Sequence, residues 1–442
     1  MGTSGTEDPP SGALDGQHRG VVIVGGGQAG LSMSWHLRRL RIDHVVLERN
    51  EVAHEWKTAR WDSFCLVTPN WQCQLPGFSY PGDDPDGFMM RGQIVEYLEE
   101  YAASFDPPLL EGIDVTGVRP DEGGSFEVTT SHGTLHADEV VVATGGYHLP
   151  LIPRSAEHLP DRVAQLHSST YRNADQLPSG PVVVVGSGQS GAQIAEDLLL
   201  AGREVHLAVG SAPRVARVYR GRDVVAWLDE MGYYRMPVTD HPLREGVRGN
   251  TNHYVTGRDG GRDIDLRLFA TRGMRLYGRL VDIADGRMHF GNDLARNLDQ
   301  ADAVSESIKD TIDGYITRTG AEVPTEARYT PVWTPPADPP RELDLDAVGV
   351  AAVIWCIGYQ ADYRWINVPI FNGRGYPTHR RGITSQPGFY FLGLPWLHTW
   401  GSGRFSGVAT DAEHLARVIA LRGGADLAGA GSRGLNALAL GS

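Results

Sequence analysis

The sequence is poor in cysteine, has no long apolar run, and carries too little positive charge to balance its acids. Among 442 residues only Cys65, Cys73 and Cys356 bear thiols. Three are too few for a disulfide framework. None forms a Cys-x-x-Cys pair, so neither a zinc ribbon nor a dithiol redox centre is written in the chain. That usage fits a reducing, cytoplasmic compartment. No run approaches the ~18 apolar residues a membrane span needs. Residues 1–18 are polar and small, and read as a disordered tail rather than a signal peptide. Lys and Arg number 40 against 54 Asp and Glu, a net charge of −14. No basic block compensates, so nucleic acid is not the expected partner.

What is present is a globular composition and an internal repeat. The hydrophobic fraction is 41%, enough to build cores. The length suits roughly three domain-sized units at ~150 residues each. Residues 21–30 read VVIVGGGQAG and residues 182–191 read VVVVGSGQSG, with seven of ten positions identical. Each block is an unbroken Val/Ile run, the pattern of a strand buried on both faces of a parallel sheet. A Gly-x-Gly-x-x-Gly follows, as Gly25, Gly27 and Gly30 and again as Gly186, Gly188 and Gly191. Helical patterns open next (Leu31 to Leu40; Ala192 to Leu200), then second apolar strands (His44–Leu47; Glu204–Val209). Strand, glycine turn, helix, strand is the dinucleotide-binding unit. The first glycine permits the turn, the second lets backbone approach a pyrophosphate, and the third allows helix and strand to pack. Free N–H groups at the helix start then face the phosphates. One such motif is weak evidence; two, each in a full βαβ context, are strong.

The copies differ at the end of the second strand. Copy one has Glu48, an acceptor for an unphosphorylated ribose such as the adenosine of FAD. Copy two has Val209 there, followed by Arg214, Arg217, Arg220 and Arg222. Arginines there suit a 2′-phosphate and hence NADPH, with Arg214 nearest the strand end. Two nucleotide sites in one chain indicate a flavoprotein that takes hydride from NADPH.

The fold class expected is α/β, with two Rossmann-like dinucleotide-binding domains, the NADPH domain inserted into the FAD domain. The boundaries expected are 19–150 for the first part of the FAD domain, 151–335 for the NADPH domain and 336–442 for the return. A substrate-side insertion spans about 216–330, with helical patterns at Asp223–Met231 and Ala303–Thr317. The proline-rich stretch from Pro331 to Arg341 reads as the linker back. Strands ending Ala143-Thr144-Gly145 and Cys356-Ile-Gly358-Tyr359 bring backbone close to a nucleotide or to another strand. Trp400-Gly-Ser-Gly-Arg-Phe-Ser-Gly407 leads into a helix from about Val408 to Leu421, an electropositive end for an electron-rich ring or an anion. His132 and His136 are four apart but on a turn and strand, so no metal site is expected.

These residues resemble the class B flavin-dependent monooxygenases, the group of N- and S-oxygenating flavin monooxygenases, plant auxin-forming enzymes and Baeyer–Villiger enzymes. The resemblance runs from about Gly20 to Leu421. It rests on both glycine motifs, the two glycine-ended strands, and His167-Ser-Ser-Thr-Tyr171-Arg172, which is similar to the family's linker signature. The Phe and Gly of that signature are replaced by Asp161 and Val163. Tyr171, where Baeyer–Villiger members carry Trp, favours oxygenation of an amine or sulfide. The segment Trp56, Arg60 and Trp61 is similar to the family's flavin-contacting region, and Asn70 is the nearest candidate for the Asn that stabilises a flavin hydroperoxide in some members. His167 is carried over as a linker residue that orients NADPH. Asn252, His253 and Tyr254 are the candidates for substrate contact, from their polarity and place in the insertion.

The resemblance implies that NADPH reduces FAD, that O2 adds to form a flavin C4a-hydroperoxide, and that NADP+ stays to shield it. A small-molecule substrate, O2 and a possible homodimer are the partners expected. Two other readings stay open: an NADPH-dependent oxidoreductase or oxidase feeding a quinone or protein acceptor, and a non-enzymatic redox-responsive flavoprotein.

Overall fold

The computed structural model describes residues 12–424. The chain opens with β1 (His18–Val24), α1 (Gln28–Arg39) and β2 (His44–Leu47). After α2 (Arg91–Phe105) come β3 (Leu109–Leu110), β4 (Val115–Pro120), β5 (Phe126–Thr130) and β6 (Gly133–Val142). The second glycine motif lies among β7 (Ala164–His167), β8 (Val182–Val185), α3 (Gln189–Leu200) and β9 (Val205–Ala208). The segment that follows carries α4 (Val224–Glu230), β10 (Arg275–Tyr277), β11 (Leu280–Ala284), β12 (Arg287–Phe290) and α5 (Leu294–Thr319). Then come β13 (Glu342–Asp344) and β14 (Ala352–Trp355). The chain finishes with β15 (His379–Arg380), β16 (Ile383–Thr384), β17 (Phe389–Phe391) and α6 (Val408–Arg422).

Two parallel-cored sheets result. The first runs β15-β16-β17-β6-β1-β2-β3, with the β4–β5 hairpin attached to β6. The second runs β7-β14-β8-β9-β10, parallel throughout. β1 and β8 sit between parallel neighbours, and the inner Val and Ile of both are buried. Burial on both faces explains why these strands read as continuous apolar runs. This is the α/β architecture with two dinucleotide-type units that the repeat predicts.

Three expectations are corrected. The helices begin at Gln28 and Gln189, earlier than Leu31 and Ala192, because the third glycine lies inside the first turn. A Cβ at Gly30 or Gly191 would run into the carbonyl oxygen of Gly25 or Gly186. The return to the first unit does not begin at 336. β13 pairs with β12, and β14 is wedged between β7 and β8 in the second sheet. The proline-rich stretch therefore ends within the second unit, and first-sheet pairing resumes only with β15 to β17. The tail expected over 1–18 is ordered from residue 12. Leu14 is buried and its N–H donates to the His132 carbonyl at 3.2 Å, while that of Gly16 donates to Thr134 O at 2.9 Å. Residues 1–11 lie outside the described residues.

Among the described residues no helix is long and apolar enough to cross a membrane.

Candidate functional site

The C-terminal ends of parallel strands from both sheets face one continuous cleft of about 1790 Å³. Ligands of open α/β sheets bind at this edge, where loops leave the strands and helix N-termini point inward. The first sheet contributes Gly25, Gly27, Glu48, Thr144 and Gly145, and the second contributes Gly186, Gly188, Gly358 and Ser211.

The two glycine turns have the same construction. Gly25 has φ +107°, and a Cβ there would lie 2.8 Å from Ala143 O, the end of β6. Gly186 has φ +101°, and its Cβ would lie 2.6 Å from Cys356 O, just past β14. Only glycine suits both the left-handed backbone and the close approach. Gly27 by contrast faces open space, and a Cβ on Gly188 would meet only Thr251 Cγ2 at 3.6 Å. Both residues precede a helix of 12 residues with no side-chain cap. The first N–H groups of α1 and α3 are thus left for an outside acceptor, with the positive end of each helix behind them.

Glu48 ends β2 and lines the cleft, with Oε2 accepting from Gly26 N at 2.6 Å and Oε1 from Asn50 N at 2.9 Å. Those two bonds fix the carboxylate and leave further lone pairs for hydroxyl donors. Thr144 Oγ1 and Gln72 Oε1, both on the cleft, are buried without hydrogen-bond partners. Unpaired buried polar atoms are costly, and a polar ligand in the cleft would satisfy them. Open space over Gly27, uncapped helix ends and orphaned polar atoms together fit a bound dinucleotide with a heteroaromatic head.

The flavin-side candidates divide. Trp56 lines the cleft and stacks on Phe405, ring centroids 5.9 Å apart, and the Arg60 guanidinium lies 5.0 Å above the Trp56 ring. Trp61 does not reach the cleft. It is buried in the second unit's core beside Tyr171 and packs edge-on against Phe64. Asn70 is also turned away. Its Nδ2 donates to Asp84 O at 2.9 Å and its Oδ1 accepts from Met89 N at 2.9 Å, so the amide is consumed in bracing its own loop. Two residues later Gln72 offers the uncommitted amide, which a sequence reading without loop geometry had no means of choosing.

The arginine expected at the second adenosine end is corrected as well. Arg214 is buried, its Nε donates to Asp302 Oδ1 at 2.6 Å, and its guanidinium lies 4.0 Å over the Tyr329 ring. Asp302 keeps the guanidinium charged against the cost of burial, and Arg214 does not line the cleft. The other three are engaged too: Arg217 with Asp223 at 2.7 Å, Arg220 with Asp313 at 3.1 Å, and Arg222 with Glu230. Arg279 follows β10, the parallel neighbour of β9, and lines the cleft, and its guanidinium has no carboxylate partner among the described residues. Sequence distance from β9 concealed it; sheet adjacency places it.

His167, at the end of β7, is buried with both ring nitrogens engaged. Nε2 faces Gly358 O at 3.1 Å and Nδ1 faces Ser169 Oγ at 3.0 Å. Burial holds its pKa below the usual histidine range. Its neighbours Ser168 to Thr170 line the cleft while the ring does not, a placement that suits the linker role the resemblance implies better than acid–base chemistry. Tyr171 is fully buried, and its hydroxyl donates to Asp197 Oδ2 at 2.7 Å.

Of the three substrate candidates, Asn252 and His253 line the cleft. Burial lowers the His253 pKa, which keeps the ring neutral near pH 7. Tyr254 instead points into the core and is 2% exposed. Opposite Asn252 stand Trp400 and Arg404, with Tyr233 and Tyr234 alongside. Cys65 and Cys73 are buried, with thiols pushed up to about 12 by burial, and the Cys356 thiol is pushed up for the same reason.

Comparison with known proteins agrees with this fold. A model for the pyridine nucleotide-disulphide oxidoreductase family matches residues 22–231. An uncharacterized CzcO-like oxidoreductase of Geobacillus kaustophilus is 31% identical over 90% of this chain and 97% of its own length. Indole-3-pyruvate monooxygenase YUCCA1 of Oryza sativa subsp. japonica is 31% identical over 68% of this chain and 76% of its own. Among solved structures, a flavin-containing monooxygenase from Stenotrophomonas maltophilia superposes with a TM-score of 0.63. It covers 92% of this chain and 99% of its own at 20% identity, a likeness of fold.

Proposed function

The chain belongs to the class B flavin monooxygenases, and on that premise we propose that it is an NADPH- and O2-dependent enzyme that oxygenates a small organic molecule at nitrogen or sulfur. One observation carries the reading. Two uncapped helix N-termini, each behind an open glycine, face a single cleft. The cleft can bring two dinucleotides together.

In this reading FAD occupies the first site, with Gly25, Gly27 and α1 at its pyrophosphate and Glu48 at its ribose. Thr144, Gln72 and Trp56 border its ring system. NADPH occupies the second, with Gly186, Gly188 and α3 at its pyrophosphate. We assign the 2′-phosphate to Arg279 and Ser211 in place of Arg214. When bound, the flavin supplies both hydride acceptance and the activation of oxygen. The protein's own work is to position and to exclude water. His167 ties the end of β7 to the Gly358 turn, and Trp56, Phe405 and Trp400 wall the cleft with apolar surface. A walled, water-poor chamber would limit side reactions with water once the cofactors were bound.

The test is anaerobic reduction of the purified holoprotein by NADPH, followed by admission of oxygen in a stopped-flow spectrometer. A long-lived species with absorbance between reduced and oxidised flavin, discharged faster by an amine or sulfide, supports the proposal. Direct return to oxidised flavin with stoichiometric peroxide moves the function to an oxidase or reductase. Absence of NADPH oxidation leaves a redox-responsive binding protein.

A further inference from the structure

Arg404 is a half-buried cation without a counter-charge. Its Nη1 donates to Trp400 O at 2.6 Å, its Nη2 donates to Asn252 Oδ1 at 2.9 Å, and its Cζ lies 3.7 Å over the Trp400 ring. Among the described residues no Asp or Glu pairs with it, and the groups that favour its charge are the distant hydroxyls of Tyr147, Tyr234 and Tyr233. Burial is the largest influence and works against the charged form. The contrast with Arg214, Arg217, Arg258 and Arg267 is sharp, since each of these sits against a carboxylate. A desolvated guanidinium has five N–H donors, and neutral partners satisfy only part of its need.

The surroundings describe what is missing. Trp400 carries the guanidinium over its ring and also packs against Tyr234, ring centroids 4.5 Å apart and tilted by 41°. Tyr233, Leu228 and Val225 extend the apolar wall from the segment after β9. His253, neutral, stands beside Asn252. The Arg404–Asn252 bond joins the loop before α6 to that same segment, so the cation lies at the seam of the two units.

We propose that Arg404 and Asn252 form the anion subsite of the substrate chamber, and that the substrate is a small molecule with a flat apolar body and a carboxylate. The carboxylate pairs with Arg404 through the guanidinium N–H groups that Trp400 and Asn252 leave free. The body lies against Tyr233, Tyr234 and Trp400. This inference rests on the proposed monooxygenase function but makes a claim about binding that is tested separately from turnover.

The probes are (phenylthio)acetate and its methyl ester, which share a sulfide and differ in the charge. Each is titrated into the FAD-loaded full-length protein, following flavin absorbance and tryptophan fluorescence. The acid is expected to bind about 10- to 100-fold more tightly than the ester, the range for a hydrogen bond to a charged group. Arg404→Gln is expected to erase that preference, and Arg404→Lys to restore part of it. Equal binding of acid and ester by the unmodified protein overturns the proposal. So does an Arg404→Gln variant that keeps the preference while its NADPH dissociation constant rises, because the cation then serves the coenzyme diphosphate. These equilibrium readouts hold even if the oxygen chemistry fails, so loss of the monooxygenase reading and loss of the anion subsite are seen apart.

Discussion

At the scale of single residues, glycines of one motif have unequal duties. Gly188 has room for a methyl group, whereas Gly191 has none, because its Cβ would enter the Gly186 carbonyl. Gly188→Ala is therefore expected to fold and retain FAD while flavin reduction by NADPH slows at least about tenfold, since the methyl fills the space a phosphate needs. Gly191→Ala is expected to lower the unfolding midpoint or abolish soluble expression. Equal behaviour of the two variants would contradict the assignment. A parallel contrast separates Asn70 from Gln72. Asn70→Ala removes two hydrogen bonds that brace a buried loop and should cost about 1–3 kcal/mol in denaturant unfolding. Gln72→Ala removes a side chain whose Oε1 has no protein partner, so stability should hold while the absorbance spectrum of bound flavin shifts. An unaltered spectrum would take Gln72 away from the ring. Asn70 was legible in the sequence only as a residue type near the right place. Its commitment to Asp84 and Met89 depends on how the loop closes, which no local pattern records.

At the scale of elements, α3 both presents the second site and clasps the rest of the molecule to it. Asp197, on this helix, accepts from Tyr171 at 2.7 Å and Arg258 at 3.0 Å, and also from Ser63. Those donors come from the linker, the segment after β9 and the first unit. Asp197→Ala leaves Arg258 and Tyr171 without their acceptor, and is expected to cost about 3–5 kcal/mol by denaturant unfolding. A loss under about 1 kcal/mol would show that the three-way clasp has no cooperative value. Of this arrangement the sequence showed only Tyr171, through its place in the linker signature. The helices themselves were legible because hydrophobic periodicity is local. Which sheet a strand joins was not, and β14 shows why. Val353-Ile-Trp reads as a buried parallel strand in either unit, and only pairing with β7 and β8 chooses the second.

At the scale of the whole molecule, half-buried histidines set the acid limit. His36, His379 and His414 are each lowered to about 4, with desolvation the largest cause. An unfolded histidine titrates near 6.5, so between these values the unfolded chain binds more protons than the folded one. Their stabilising share is therefore complete above about 6.5 and is lost as pH falls toward 4. The midpoint of thermal unfolding should be level from pH 8 to 7 and then drop steadily to pH 5. Replacing His36 and His414 with Gln should flatten that drop. A midpoint unchanged between pH 7 and 4.5 would refute the account. The same burial that suppresses charge on these rings leaves Arg404 uncompensated, and there the cleft allows an anionic ligand to enter.

The sequence by itself determined the two glycine-turn βαβ units, their order and the glycines that stand at the cleft. These follow from short-range rules: apolar runs, a glycine turn and a helix start within about 30 residues of chain. Tertiary structure alone decided which side chains face the cleft. It withdrew Trp61, Asn70, Tyr254 and Arg214, all of which have partners or core contacts elsewhere. It supplied Gln72, Arg279, Trp400 and Arg404, which the chain brings together from distant segments. The reason is that hydrogen-bond and charge satisfaction is a property of three-dimensional neighbours. A polar residue's availability to a ligand is fixed by whether the fold has already used it.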